Sequence, residues 1–406
     1  MRHLSFLHSY LPLTMREYNP LMNYSKQITY LAKVNRYGKD ILFGIKQKDR
    51  LLHTYIIGKT GTGKTNLLRT QILQDIDCGR GLCVFDVHGD LIKNIFLNIP
   101  RYRASDIVYL DITDPNHHFR FNPFMKVPYE RRSLVASGIL DVFEKQWKSA
   151  WGLKLEHILR HIFLTLLDQE KADISDILRI LEDEKFRDKC VENVISDDIK
   201  RFWQKEFKQY NKADFLPIYN KVGAFLIYPA IRRLLIDNTE DISFRKIMDS
   251  RKILLINLSK GILGENVSNI LGALILNSIS FSAFSRIDIH EVNRVPFFVY
   301  LDEFQNYTTL SLVNMLSELR KFKLALIMAH QYLGQLSEEI RDAVLGNAGT
   351  VIVFRLGVSD ASYFAKELEP FDIPNIINLA NYEIYLKLMI DGTPSRTFNA
   401  ETIVWG

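Results

Sequence analysis

HTYIIGKTGTGKTNLLRTQILQDI, residues 53–76, is the stretch on which the reading of this chain turns. Within it, residues 58–65 (GKTGTGKT) satisfy G-x-x-x-x-G-K-[ST], the phosphate-binding loop pattern. Gly58, Gly61 and Gly63 permit a tight turn whose backbone N–H groups converge on phosphate oxygens, with Thr60 and Thr62 completing the cradle. Lys64 is placed to neutralise the β- and γ-phosphates, and the hydroxyl of Thr65 to ligate Mg²⁺. An apolar run precedes the loop and a helix-period stretch follows it. The expected local structure is therefore strand, loop, amphipathic helix, with the helix N-terminus aimed at the phosphates.

Such a loop needs a second carboxylate site for the metal and the attacking water. FFVYLDEF (297–304) supplies one: an apolar strand ending in Asp302, which orients the metal's shell, and Glu303, a general base. The next apolar run, LALIMAH (324–330), ends at Gln331, whose amide is expected to sense the γ-phosphate or the water. Between these two runs lies SELRKFKL. It offers Arg320 as an arginine finger reaching a neighbour's nucleotide, with Arg355 as second candidate.

Short runs rich in Val, Ile, Phe and Tyr recur outward from these motifs, at 53–57, 82–87, 107–112, 253–258, 297–302, 324–330, 350–356 and 383–390. Separated by helical sequence, they predict an α/β fold with a mostly parallel central sheet. Residues 130–249 show helical period instead, as in KLEHILRHIFLTLLDQE. The predicted organisation is an N-terminal segment (1–50) with an extra strand or small subdomain around ILFGI (41–45). A first α/β part (51–129), an all-helical insert (130–249) and a second α/β part (250–406) follow.

Composition fits this and excludes other classes. Across 406 residues, 47% hydrophobic and 24% charged residues rule out a disordered or collagen-like chain. Cys78, Cys83 and Cys190 form no CxxC pair, so a disulfide framework and a zinc site are not expected. The net charge of +5 is too small to argue for nucleic acid by itself. No run approaches the ~20 consecutive apolar residues of a membrane span. The apolar patch of the first twenty residues, broken by His8, Ser9, Tyr10 and Pro12, lacks the form of a secretory signal. A cytoplasmic protein is the expectation, with any membrane association coming through partners. Two other patterns are weaker: NKAD (211–214) matches a guanine-specificity motif but follows helical sequence, and HILRH (157–161) lacks a third metal ligand.

With GKTGTGKT, FDVHGDL (85–91), FFVYLDEFQNY (297–307), ELRKFKL and IMAHQYLGQL (327–336) together, the chain resembles the HerA/FtsK superfamily of ring-forming DNA motors. Within it, the likeness is greatest to HerA-like and TraG-type ATPases, the latter including conjugative type IV secretion coupling proteins. The resemblance spans about residues 40–400. It implies a RecA-like P-loop ATPase that assembles as a homo-hexamer and moves single- or double-stranded DNA through a central channel. ATP and Mg²⁺ are the implied cofactors, and a relaxase, nuclease or secretion channel the implied partner. It assigns Lys64 and Thr65 to phosphate and metal, Asp302 and Glu303 to the acid pair, Gln331 to the sensor and Arg320 to the trans arginine. Asp86 and His88 are implied to shape the pocket rim. Two departures are expected to matter: the membrane helices of anchored coupling proteins and the full N-terminal barrel of a HerA helicase are both missing from this sequence. A competing reading makes the chain a docking receptor for a nucleoprotein or nuclease, with ATP used for assembly. A third makes it a protein-unfolding or secretion ATPase.

Overall fold

Strand 297–302 shows how this sequence builds its core. Every residue of it is buried, yet Phe297, Val299 and Leu301 face one apolar cluster while Phe298 and Tyr300 face another. A strand covered on both faces belongs in the middle of an α/β sheet. The computed structural model describes residues 25–125, 127–238 and 240–405. The N-terminal apolar patch discussed above lies outside them.

The sheet's strands are β1 (Ile28–Arg36), β2 (Lys39–Lys46), β3 (Thr54–Ile57), β4 (Gly81–Asp86), β5 (Ile107–Asp111) and β6 (Ile253–Asn257). They are joined by β7 (Phe297–Asp302), β8 (Leu324–His330), β9 (Thr350–Val353), β10 (Glu383–Lys387) and β11 (Phe398–Thr402). All pair in one 11-stranded sheet, ordered β2-β1-β11-β10-β9-β3-β8-β7-β4-β6-β5. The run from β9 to β5 is parallel. The remainder is antiparallel. The strands expected from the apolar runs are all present. β1 and β11 carry more polar residues and were not legible as apolar runs.

Helix α1 (Lys64–Asp77) follows the phosphate loop and departs from the amphipathic expectation. From Leu67 to Ile76 only Arg69 escapes burial, because β1 and the C-terminal residues cover the side turned away from the sheet. Its polar residues serve that cover. Gln74 donates to the carbonyl of Tyr30 and accepts from its N–H, both at 2.8 Å, and Thr70 donates to the carbonyl of Ile403 at 3.0 Å. A second short helix, α2 (Asp90–Phe96), lies on the same face.

Between β5 and β6 the regular structure among the described residues is helical apart from two short pairing segments, Phe119–Arg120 and Glu240–Asp241. Two long helices carry this block: α3 (Tyr129–Gln146) and α4 (Leu153–Leu167), whose apolar stripe from Leu155 to Leu167 is buried. The block's core is continuous with one face of the sheet. The junction is α3 against α5 (Glu265–Phe284). There Gly138 sits so close to Phe281 that a Cβ would lie 2.9 Å from its ring, and Asn277 donates to the Gly138 carbonyl at 2.9 Å. By length and hydropathy the helical stretch Glu265–Asp288 could cross a membrane, but 83% of its apolar 18-residue window is buried inside the protein. Helix α6 (Leu310–Leu319) links the end of β7 to the start of β8.

Candidate nucleotide-binding site

β3 delivers the phosphate loop to the carboxyl edge of the parallel strands, where α/β folds bind ligands. The loop is pinned at its start: Gly58 N–H donates to the carbonyl of His330 (3.3 Å) and Lys59 N–H to that of Arg355 (3.0 Å). Gly58 allows no side chain, since a Cβ would lie 2.4 Å from that of Phe354. Gly61 and Gly63 take φ of 76° and 119°, left-handed values that favour glycine. The N–H groups of Thr60, Gly61, Thr62 and Gly63 donate to no protein acceptor among the described residues. A row of unpaired amides at a helix N-terminus is an anion cradle. Lys64 folds back over the loop, donating to the carbonyls of Gly58 (2.6 Å) and Lys59 (3.0 Å), and its burial lowers its pKa.

Neighbouring β7 brings its carboxylates alongside. Thr65 Oγ1 lies 3.4 Å from Asp302 Oδ2. Burial, then the nearby Glu303 and Asp86, push the Asp302 carboxyl up to about 6. A crowded carboxylate of this kind is suited to a cation. The hydroxyl of Thr65 and the carboxylate of Asp302 are hard oxygen donors, few enough to leave phosphate oxygens and water to complete an octahedron, as Mg²⁺ prefers. Among the described residues no group of three or more His, Cys, Asp or Glu side chains is arranged to hold a metal unaided.

Glu303 adopts φ 55°, a left-handed conformation unusual for a side chain of its size. Gln331 donates to Glu303 Oε1 and Gln305 to Oε2, both at 2.7 Å. Gln331 also accepts from the Thr60 hydroxyl at 3.0 Å, so one amide spans the phosphate loop and the carboxylate. A pocket of about 370 Å³ opens beside Glu303, lined also by His88, Lys260, Asn306 and Gln331. Lys260 donates to Asn306 (2.9 Å) and Glu265 (3.1 Å) at this pocket.

Other expected residues fall elsewhere. Asp86 does not shape the rim: its carboxylate accepts from the N–H groups of His88, Gly89 and Ile92 and so caps α2. His88 is exposed and does line the pocket. Arg355 is held within its own chain by the Leu379 carbonyl (3.1 Å) and Asn381 (2.9 Å). Arg320 is exposed just before β8 begins, at the opposite edge of the sheet from the phosphate loop. The NKAD match is a helix capping box built by Asn211 and Asp214, and His157 and His161 pack with Phe202. Gln305 and Lys260 were not singled out for this site by sequence: Gln305 stands two residues after Glu303 but belongs to no motif, and Lys260 is distant in sequence.

The sequence profile described as type IV secretion-system coupling protein DNA-binding domain matches residues 43–369. The chain belongs to this family. Solved structures agree at the level of the fold. The plasmid coupling protein TrwB in complex with the non-hydrolysable ATP analogue ADPNP aligns with a TM-score of 0.66 at 14% identity, covering 95% of this chain and 91% of that one. TrwB with ADP and Mg²⁺ aligns at 0.65 and 14%, covering 95% and 91%. VirB4 of Thermoanaerobacter pseudethanolicus aligns at 0.59 and 14%, covering 92% and 96%. No curated protein sequence matches this coupling-protein family member.

Proposed function

We propose that this chain is an ATP-driven DNA translocase that works as a homo-hexameric ring, with the helical block 130–249 acting as its inserted domain. The observation that carries the reading is the meeting of Lys64 and Thr65 with Asp302, Glu303 and Gln331 at one sheet edge, in a member of the coupling-protein family. The likeness to TrwB structures holding ADPNP, or ADP with Mg²⁺, supports ATP and Mg²⁺ as the cofactors.

The phosphate loop amides and Lys64 hold the β- and γ-phosphates, while Thr65 and Asp302 hold Mg²⁺, which when bound offsets phosphate charge. Glu303 is the base that takes a proton from the attacking water. Gln331, spanning Thr60 and Glu303, reports the state of the γ-phosphate to the carboxylate. Arg320 lies the length of β8 away from the loop, roughly 20 Å at about 3.3 Å per residue, so it cannot serve its own nucleotide. That placement supports a role in trans, completing a neighbour's site. Partners such as a relaxase, nuclease or secretion channel would then receive or supply the moving DNA.

The test uses DNA carrying a protein roadblock at one end. Wild type is expected to displace the block only with hydrolysable ATP. Lys64→Ala should lose nucleotide binding, while Glu303→Gln should bind ATP yet displace nothing. Displacement by Glu303→Gln at the wild-type rate would remove Glu303 from its assigned role.

A further inference from the structure

One face of α3 reaches past the helical block and grips the segment that follows Glu303. Lys145 Nζ donates to three backbone carbonyls there: Gln305 at 2.7 Å, Asn306 at 3.2 Å and Thr308 at 2.7 Å. Four residues earlier, on the same helical face, Asp141 accepts from the N–H (3.0 Å) and the hydroxyl of Ser311. Ser311 is in the first turn of α6, whose N–H groups have no partner inside the helix, so Asp141 acts as a cap supplied from another element. Lys145 is exposed as a residue, yet three carbonyls surround its ammonium, and the desolvation there, with Lys260 near, lowers its pKa to about 8. A lone surface lysine would gain more from water. This one instead satisfies all three of its donors on a single loop.

The loop so held bears directly on the chemistry. Gln305, whose carbonyl Lys145 binds, uses its side chain to donate to Glu303 Oε2. The helix capped by Asp141 runs on to Arg320. The same α3 is seated on α5 through Gly138 and Asn277. A shift of the helical block would therefore be felt at Glu303 and at Arg320 together.

We propose that Lys145 and Asp141 are positioning residues through which the helical block sets the orientation of Glu303. This rests on the ATPase reading above. When DNA moves the block, the 305–308 loop moves with it, and Glu303 is brought to or withdrawn from its working geometry.

Lys145→Met removes the grip, and Lys145→Arg keeps donors in place. Steady-state hydrolysis with and without DNA, nucleotide affinity, and hydrogen exchange at residues 304–309 are measured on each. For Lys145→Met we expect unchanged nucleotide affinity, a kcat lowered about tenfold or more, and loss of DNA stimulation. Exchange at the loop should be faster, and Lys145→Arg should recover part of the rate. Should Lys145→Met fail to fold, Asp141→Asn is read the same way. Wild-type kcat and unchanged loop exchange in Lys145→Met would overturn the proposal, as would parallel loss of affinity and kcat with a lower melting temperature. The exchange readout does not depend on turnover. Wild type that ignores DNA but whose loop loosens in Lys145→Met would sink the translocase reading and leave the grip standing.

Discussion

At the residue scale, two buried histidines, His53 just before β3 and His330 at the end of β8, make stability respond to acid. His53 Nδ1 accepts from the Leu326 N–H at 3.0 Å, so Nε2 carries the proton and donates to the Leu316 carbonyl at 2.8 Å. His330 lies 2.5 Å from the Tyr55 hydroxyl. Burial lowers their pKa values from 6.5 to about 4 and about 3. Below about pH 6.5 the unfolded chain takes up these two protons while the fold refuses them, so stability falls as pH drops toward 4. Asp302 opposes this: its raised carboxyl gains a proton in the fold from about pH 6 downward, before the unfolded chain does near 3.8. Two histidines outweigh one carboxylate, and the melting temperature is expected to fall between about pH 7 and pH 5. Thermal melts across that range check it, and a rising melting temperature would contradict the assignment. His53→Gln should flatten the slope.

Among elements, the tie between α1, β7 and the segment linking β2 to β3 is a buried ion pair. Arg50 is buried, donates to both oxygens of Asp75 at 2.7 and 2.9 Å, and donates to the Tyr300 hydroxyl at 2.7 Å. Its guanidinium also lies 3.8 Å from the centroid of the Phe298 ring. Arg50→Met leaves Asp75 buried with Arg80 as its one charged partner among the described residues, a loss of about 3 kcal/mol. Chemical denaturation should show it as a lower midpoint, and an unchanged midpoint would contradict the tie. None of this was visible beforehand, because Arg50, Asp75 and Tyr300 are scattered and carry no motif. What was legible had a local cause. The glycines of 58–65 declare a turn, and apolar runs such as FFVYLD declare buried strands. α1 misled because its polar residues Thr70, Gln71 and Gln74 look like a solvent face, while Thr70 and Gln74 bond to backbone brought from distant sequence. Likewise Asp86 reads as a pocket residue until its three N–H partners are seen. The grip of Lys145 depends on packing between blocks that no spacing encodes.

At the scale of the whole molecule, the two edges of the sheet separate the phosphate loop from Arg320. The carboxyl edge carries phosphate loop, acid pair and Gln331, and the opposite edge presents Arg320 outward. A ring in which each subunit offers Arg320 to the next accounts for both. Mixing Arg320→Ala with Lys64→Ala, each inactive alone, should restore part of the hydrolysis, since some interfaces then pair an intact loop with an intact arginine. No recovery in mixed assemblies would place Arg320 outside the neighbour's site. The ring proposed above would also give meaning to a charge of only +5, because a closed ring repeats each channel-facing cation and need not be strongly basic overall. The central claim is that DNA drives this ATPase. It is tested most directly by ATP hydrolysis titrated with single- and double-stranded DNA, with assembly mass followed in parallel. The account predicts hydrolysis rising about tenfold or more with one form of DNA as six-subunit assemblies appear. The same rate with and without either DNA would contradict it.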